Sequence, residues 1–305
     1  MRLGDTHMKI GIACVYFYGE DAEWIMELQL RYIASMMGGH EYRVFAGANR
    51  LSFALRNRLA ATANLEIVSL PWFDGEGSEE HAFYLDKLLD RAAADGCTHL
   101  ATVDADSFPV LADWPDALIQ RMGKDVRLAA VLRAENLDTH LPHPCGLFME
   151  RSFFLQYKPS MLPSKSEISS PSFQEFIRQT GQRIDTGIGY GYVLWKHKEP
   201  WLPLMRSNKW NPHFIMAGIY GDVFFHLGAT SRRQFFYVEF ARNPLLHLMD
   251  ILNKYPVIWR VSAWISPWLR EKRAPSNARV FRSVSSALRT NPERFIEKLR
   301  SPLQL

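Results

Sequence analysis

The stretch THLATVDADSFPV, residues 98–110, decides the fold. It begins as a β-branched and apolar run and ends on Asp104 and Asp106, with only Ala105 between them. Asp is a poor strand former. Two like charges this close repel unless a cation sits between them or water screens them. The run therefore reads as a strand over 98–106 that delivers two acids to its C-terminal end.

Working towards the N-terminus, a helix precedes this strand. Ser78 is placed to cap it, Leu85, Leu88, Leu89 and Ala92 recur at helical spacing, and Gly96 ends it. FDGEGSEE (73–80) is turn-rich. LEIVSLPW (65–72) and YRVFAGA (42–48) read as strands, and KIGIACVYF (9–17) reads as a strand buried on both faces. Between the first two strands Asp21 caps a helix with Ile25, Leu28, Tyr32 and Met36 on one stripe, stopped at Gly38-Gly39. Towards the C-terminus Asp113 caps a helix with Pro115 near its start, Leu118, Ile119 and Met122 on one face and Gly123 at its end. RLAAVLRAE (127–135) is the next strand.

Strands that alternate with helices imply an α/β fold, a Rossmann-like, mostly parallel central sheet flanked by helices. Ligands of such sheets bind outside the carboxyl ends of the strands, and the acid pair falls on that edge. Beyond residue 140 the alternation fades. CGLFMERSFF (145–154) reads as one more strand, LPSKSEISSPS (162–172) as a mobile polar loop, and RIDTGIGYGYVLWKHK (183–198) as a Gly-rich turn entering an amphipathic segment. VFFHL, ending at Leu227, is a short strand followed by small residues.

The 305 residues, 47% hydrophobic and 22% charged, are enough for a sizeable core and exclude a disordered chain. Cys14, Cys97 and Cys145 are far apart and odd in number, which fits a reducing, cytoplasmic compartment better than a disulfide framework. No apolar run approaches the ~20 residues of a membrane span, and the N-terminus lacks a secretory pattern. The net charge of +4 is unevenly spread: residues 241–305 hold 12 Lys/Arg against 4 Asp/Glu. That segment mixes Trp259, Trp264 and Trp268 with Arg260, Arg270, Lys272 and Arg273. It suits either an anionic membrane surface or helices that pack on the rest of the chain; nucleic acid is not expected, since no binding motif accompanies the charge.

Two carboxylates in D-x-D spacing at a strand end can share a hard divalent ion, Mg²⁺ or Mn²⁺, which commonly bridges protein oxygens to phosphates. The alternative is a pair of solvated loop acids. His226 is either a core histidine or a further ligand; it lies just before Gly228, and Arg232 and Arg233 follow within reach of a phosphate.

Taken together, KIGIACVYF, the helix and strand leading into VDAD, and the later HLG with its basic residues resemble a GT-A-type, family-2-like glycosyltransferase, over roughly residues 8–235. The resemblance implies a GT-A catalytic domain over 8–240, its nucleotide-sugar half at about 8–135 and its acceptor half at about 136–240, with a basic helical appendage over 241–305. It implies a sugar transfer from a nucleoside diphosphate sugar, UDP-sugar first, to a glycan, glycolipid or small-molecule acceptor. Asp106 becomes the primary metal ligand, Asp104 a shared metal or ribose contact, and His226 the distal ligand. Arg232 and Arg233 would neutralise the diphosphate. The donor base would lie on Ala13, Val15, Phe17 and Tyr18, with Asn49 or Arg50 beside it. Asp185 is the candidate general base; the family often has Glu-Asp where this chain has Ile184-Asp185, and the same aspartate also suits a helix cap. Arg206, Trp210, Asn211 and His213 suit either an acceptor wall or structural packing.

Three further readings stay open. A phosphohydrolase with an aspartate nucleophile also fits D-x-D, but would place the pair after the first strand, and TVDAD comes late. A sugar nucleotidyltransferase shares the sheet and the acids, but would place a basic Gly-rich loop after the first strand, where YFYGEDAEW is acidic. A membrane-associated sugar- or lipid-binding module would use the basic tail without chemistry. The compartment expected is the cytoplasm, peripheral to the inner membrane face, and a homo-oligomer is compatible with everything above.

Overall fold

The computed structural model describes residues 8–17, 23–75, 77–213, 216–228 and 279–301. Contacts divide the chain into two compact units, the first running to His226 apart from residues 135–137 and 208–218.

The first unit is built on a seven-stranded sheet. Its strands are β1 (Lys9–Val15), β2 (Glu41–Gly47), β3 (Leu65–Ile67), β4 (His99–Thr102), β6 (Leu128–Val131), β7 (His143–Glu150) and β8 (Leu202–Leu204). Their order is β3-β2-β1-β4-β7-β6-β8. β7 alone runs antiparallel, against both β4 and β6. The carboxyl ends of β1, β4 and β6 and the amino end of β7 therefore share one edge.

β1 is apolar almost throughout because both of its faces are covered. On one face lies α3 (Ser78–Ala94), whose Leu85, Leu88, Leu89 and Ala92 pack into the main core with Ala13, Phe45, Leu100 and Leu147. β8 carries Pro203 and pairs only with β6, as a proline-bearing edge strand should.

A second, three-stranded sheet has the order β5-β10-β9, from β5 (Ser107–Pro109), β10 (Phe224–His226) and β9 (Gly218–Tyr220). β5 and β10 are antiparallel with His226 opposite Ser107. That single register brings His226 across 120 residues of chain to the residue after Asp106.

Glycines set how closely the later half packs. A Cβ on Gly146 in β7 would meet Phe224 Cδ2 at 2.7 Å and Val131 Cγ2 at 2.8 Å, so only glycine lets β7 approach β10. In α8 (Ile188–His197), Cβ atoms on Gly189 and Gly191 would run into the carbonyl oxygens of Ser160 and His140. The Gly-rich run is thus a packing surface for the loop that leads into β7 and for the segment that follows the helix Arg151–Tyr157.

Several boundaries differ from the sequence reading. The 98–106 strand ends at Thr102, so both acids stand in the turn after it. Ser78 is the first residue of α3 and Gly77 its N-cap. Asp113 sits in a left-handed conformation (φ 52°) and makes no side-chain cap for α4 (Trp114–Met122). The 162–172 segment is ordered: Ser164 caps a helical turn over Lys165–Ile168, and Ser170 caps Pro171–Thr180. Residues 145–154 divide into the end of β7 and the helix Arg151–Tyr157. α2 (Phe53–Ala60), capped by Ser52, joins β2 to β3.

In the second unit the helix Pro292–Arg300, capped by Asn291, follows a helical stretch over 279–290. The amides of Lys209 and Trp210 donate to the Leu299 carbonyl at 2.8 and 3.2 Å. Trp210 meets Phe295 edge-on at 6.4 Å between ring centroids, with Lys298 Nζ 4.2 Å above its ring. Trp210 thus packs within this unit. Tail residues 241–278, including Trp259, Trp264 and Trp268, lie outside the described residues. Among the described residues no helix is long and apolar enough to cross a membrane.

Candidate active site

The turn after β4 is held from behind. Gln29 of α1 (Glu23–Ser35) is fully buried, and its Nε2 donates to the carbonyls of Asp104 and Ser107, both at 2.7 Å. The Asp104 amide donates to Ser107 Oγ at 2.8 Å, and the Ser107 amide returns to the Asp104 carbonyl at 2.9 Å. These bonds fix the backbone of the turn without using either carboxylate.

His226 meets them. Its Nε2 lies 3.3 Å from Asp106 Oδ1 and 3.7 Å from Asp104 Oδ2. Asp106 and His226 are 6% and 7% exposed. His81, from the first turns of α3, brings its Nε2 to 3.7 Å from Asp104 Oδ1. Cys145 of β7 completes the group: ligand atoms of Asp104, Cys145 and His226 lie within 4.8 Å of one another. The Thr102 hydroxyl donates to the Pro144 carbonyl at 2.8 Å and ties β4 to this end of β7. His143 accepts the Cys145 amide on Nδ1 at 3.1 Å, and its ring centroid lies 6.0 Å from that of His226.

The electrostatics follow from burial. Burial pushes the Asp104 carboxyl above its ordinary range, against the pull of His81 and His226. Burial works against a charge on His226, yet Cys145 and the Asp106 carboxylate beside it hold the imidazole well above its usual pKa. His143 goes the other way, well below, through burial and the nearby positive Arg133 and His226. One histidine of this neighbouring pair thus favours the charged form and the other the neutral form.

Arg133 follows β6 at the same edge. Its Nε is 3.3 Å from Asp138 Oδ2 and its Nη2 is 3.9 Å from Asp185 Oδ2. Gln182, 2% exposed, accepts the amides of Thr139 and His140 at 2.7 and 2.9 Å and so fixes the loop between Arg133 and β7. Asp185 Oδ1 accepts Ser78 Oγ at 2.9 Å and the Thr186 amide at 2.8 Å. The α8 N-cap is Gly187, so Asp185 serves the turn before the helix and the start of α3.

The donor set fits a divalent ion. Two carboxylates and an imidazole converge, and Asp104 Oδ1 and His226 Nδ1 are buried with no hydrogen-bond partner among the described residues. A cation would resolve the repulsion of the acids and use the orphaned oxygen.

The remaining sequence candidates are placed as follows. Ala13 is fully buried in the core and Val15 packs against it, so Ala13 offers no surface to a base. Phe17 is 46% exposed at the carboxyl end of β1, free to stack. Asn49 is exposed and donates to Tyr84 Oη at 3.2 Å and to the Leu70 carbonyl at 3.4 Å. Tyr18, Arg232 and Arg233 lie outside the described residues. Sequence reasoning missed Cys145, His143, His81, Arg133 and Gln29. Only Cys145 and Arg133 carried a signal, as polar residues at the ends of predicted strands.

No protein-family model matches the chain, and no curated protein matches it. Solved structures do align. Mouse xyloside xylosyltransferase 1, in its apo form, is 11% identical, with 64% of this chain and 85% of that one covered at a TM-score of 0.37. The galactosyltransferase LgtC, solved with donor and acceptor sugar analogues, is 12% identical over 67% of this chain and 75% of its own, at 0.39. A mannosyltransferase from Pyrobaculum calidifontis, solved with GDP-Man and Mn²⁺, is 12% identical over 50% and 47%, at 0.37. All three are glycosyltransferases. Likenesses this distant leave the case for an activity to the chain's own residues.

Proposed function

We propose that this protein is a metal-dependent glycosyltransferase that moves a sugar from a nucleoside diphosphate sugar to an acceptor hydroxyl. One observation carries the reading: Asp104 Oδ2 and Asp106 Oδ1 both face His226 Nε2 at the carboxyl edge of the sheet, and the other Asp104 oxygen is buried with no hydrogen-bond partner among the described residues. Asp106 and His226 would hold Mn²⁺ or Mg²⁺, with Asp104 as the shared ligand. Such an ion, when bound, stabilises negative charge developing on a diphosphate leaving group.

The chain's own residues then divide the remaining work. Phe17 offers a face for the donor base at the end of β1, and UDP is the first candidate. Asp185 has Oδ1 fixed by two donors and its side chain 43% exposed, so Oδ2 can take a hydrogen bond from an acceptor or sugar hydroxyl. Arg133 holds that oxygen's approach from the sheet side. Arg232 and Arg233 remain the candidate diphosphate contacts. A glycan, glycolipid or small-molecule acceptor would enter from the side of Asp185. We place the enzyme in the cytoplasm, with its basic C-terminal segment available to a membrane surface; the three buried free thiols suit that compartment.

The test is a thermal-shift series with UDP, GDP, CDP and dTDP, each with and without Mn²⁺, followed by nucleotide-sugar turnover with the diphosphate that binds. One diphosphate should stabilise the protein only with metal, and Asp106→Ala should lose the effect. Metal-independent binding in the wild type would overturn the reading, and pyrophosphate release from a nucleoside triphosphate would favour a nucleotidyltransferase.

A further inference from the structure

Cys145 is a residue that sugar transfer does not call for. It is fully buried, and it is the second residue after His143 on β7, the strand that runs antiparallel to β4 and β6 and enters the site by its amino end. The approach of β7 to β10 that brings its thiol to His226 depends on Gly146, where any Cβ would meet Phe224. Asp104, Cys145 and His226 offer an oxygen, a sulfur and a nitrogen within 4.8 Å of one another. Asp106 Oδ1 lies 3.3 Å from the same imidazole.

The chemistry of this set is mixed. Carboxylates suit Mg²⁺ and Mn²⁺, whereas a thiolate selects softer ions such as Zn²⁺. Three donors of types S, N and O are clustered, and Asp106 beside His226 Nε2 is the nearest fourth; Zn²⁺ takes four ligand atoms about 3.5 Å apart, so the three would draw in and Asp106 would turn to complete the tetrahedron. A tetrahedral ion held by four protein ligands has no open position for a phosphate oxygen.

We propose that the site also takes a thiophilic divalent ion, Zn²⁺ or its analogue Co²⁺, through Asp104, Asp106, Cys145 and His226, and that this ion is a closed, inhibitory occupant that competes with the hard ion. On binding, the Cys145 thiol and the His226 imidazolium each give a proton to solvent, and the sulfur and the freed ring nitrogen give lone pairs to the metal; nothing is oxidised or reduced. The ligands are shared with the site proposed above, but sulfur coordination does not depend on the sugar-transfer reading.

The experiment titrates Co²⁺ into the full-length apoprotein and follows the near-ultraviolet thiolate-to-cobalt charge-transfer band. Wild type should develop the band at one equivalent, and Zn²⁺ should abolish it. Cys145→Ser and Cys145→Ala should lack it, while Cys14→Ser keeps it. Zn²⁺ affinity should fall by roughly tenfold or more in Cys145→Ser, with Mn²⁺ affinity nearly unchanged. Circular dichroism on both Cys145 variants establishes which of them folds, and either suffices. A wild type without the band, or a folded Cys145 variant that retains it, overturns the proposal. If the band is present and no nucleotide diphosphate binds, the sulfur site stands and the transferase reading falls.

Discussion

The two halves of the central sheet are built to different ends. On the β3-β2-β1 side, strands are short apolar runs sealed by α3, and the buried residues are nearly all hydrocarbon. On the β4-β7-β6 side, the strand ends carry buried Thr102, Asp106, His143, Cys145 and His226, with Arg133 beside them. Burying hydrocarbon stabilises the fold directly, whereas burying polar groups costs unless partners are supplied. Hydrocarbon from both halves, packed against α3, therefore holds the molecule together, while the strand ends of the second half also hold poised, partly unsatisfied chemistry. Natural sites commonly sacrifice some stability in this way.

The contrast breaks first, and by the largest margin, under a core substitution. Leu88→Ala removes a fully buried side chain of α3 from the hydrocarbon half. It should cost about 2–5 kcal/mol, read as a fall in chemical-denaturation midpoint, with metal-dependent nucleotide binding retained by the folded fraction. Asp106→Asn should do the reverse. Turnover should fall by roughly 10²-fold or more, as when a group that stabilises transition-state charge is lost, while the apoprotein midpoint stays within about 1 kcal/mol of wild type. If Asp106→Asn unfolds the protein, the acids are structural and the division of labour fails.

A smaller effect separates positioning from chemistry. Arg133→Gln removes the guanidinium beside Asp138 Oδ2 and Asp185 Oδ2. We expect a roughly tenfold drop in kcat with KM for the donor little changed and Mn²⁺ affinity intact, a split that general unfolding would not produce. Equal losses in metal affinity and turnover would show that Arg133 instead shapes the cation site.

How much of this was legible depended on where the information sits. β1, α3 and β4 are local patterns: apolar runs and a 3.6-residue stripe that survive folding unchanged. The acids were readable because Asp at a strand end has few structural uses. Arg133, Cys145 and His143 were not, because their roles depend on β7 entering the sheet antiparallel, a long-range pairing that no local spacing encodes. The glycines of α8 signalled a turn by composition, yet their use is close packing on the carbonyls of His140 and Ser160, visible only once the partner segment is in place. The 162–172 segment looked like loop because Ser and Pro dominate it; the same residues, as Ser164 and Ser170 caps and Pro171 at a first helical turn, start helices.

The smallest effect tests the seam where the hydrocarbon half meets the later half. Asp86, on the well-packed α3, accepts the Met161 amide at 2.8 Å. Burial raises its carboxyl to about 7, helped by Asp90 and opposed by the Met161 amide and Lys87. Since the folded-state pKa lies above the unfolded value of 3.8, folding takes up a proton between about pH 4 and pH 7. The stability contributed by this group is complete below that window and is lost as pH rises through it. Asp86→Asn keeps an acceptor for the Met161 amide and removes the titration. The variant should therefore match wild type near pH 4 and exceed it at pH 8, by on the order of 1 kcal/mol given the partial exposure of the group. Urea midpoints across this range measure the difference. A constant gap between the two curves would mean that Asp86 does not titrate with folding, and that the seam is held by its hydrogen bond alone.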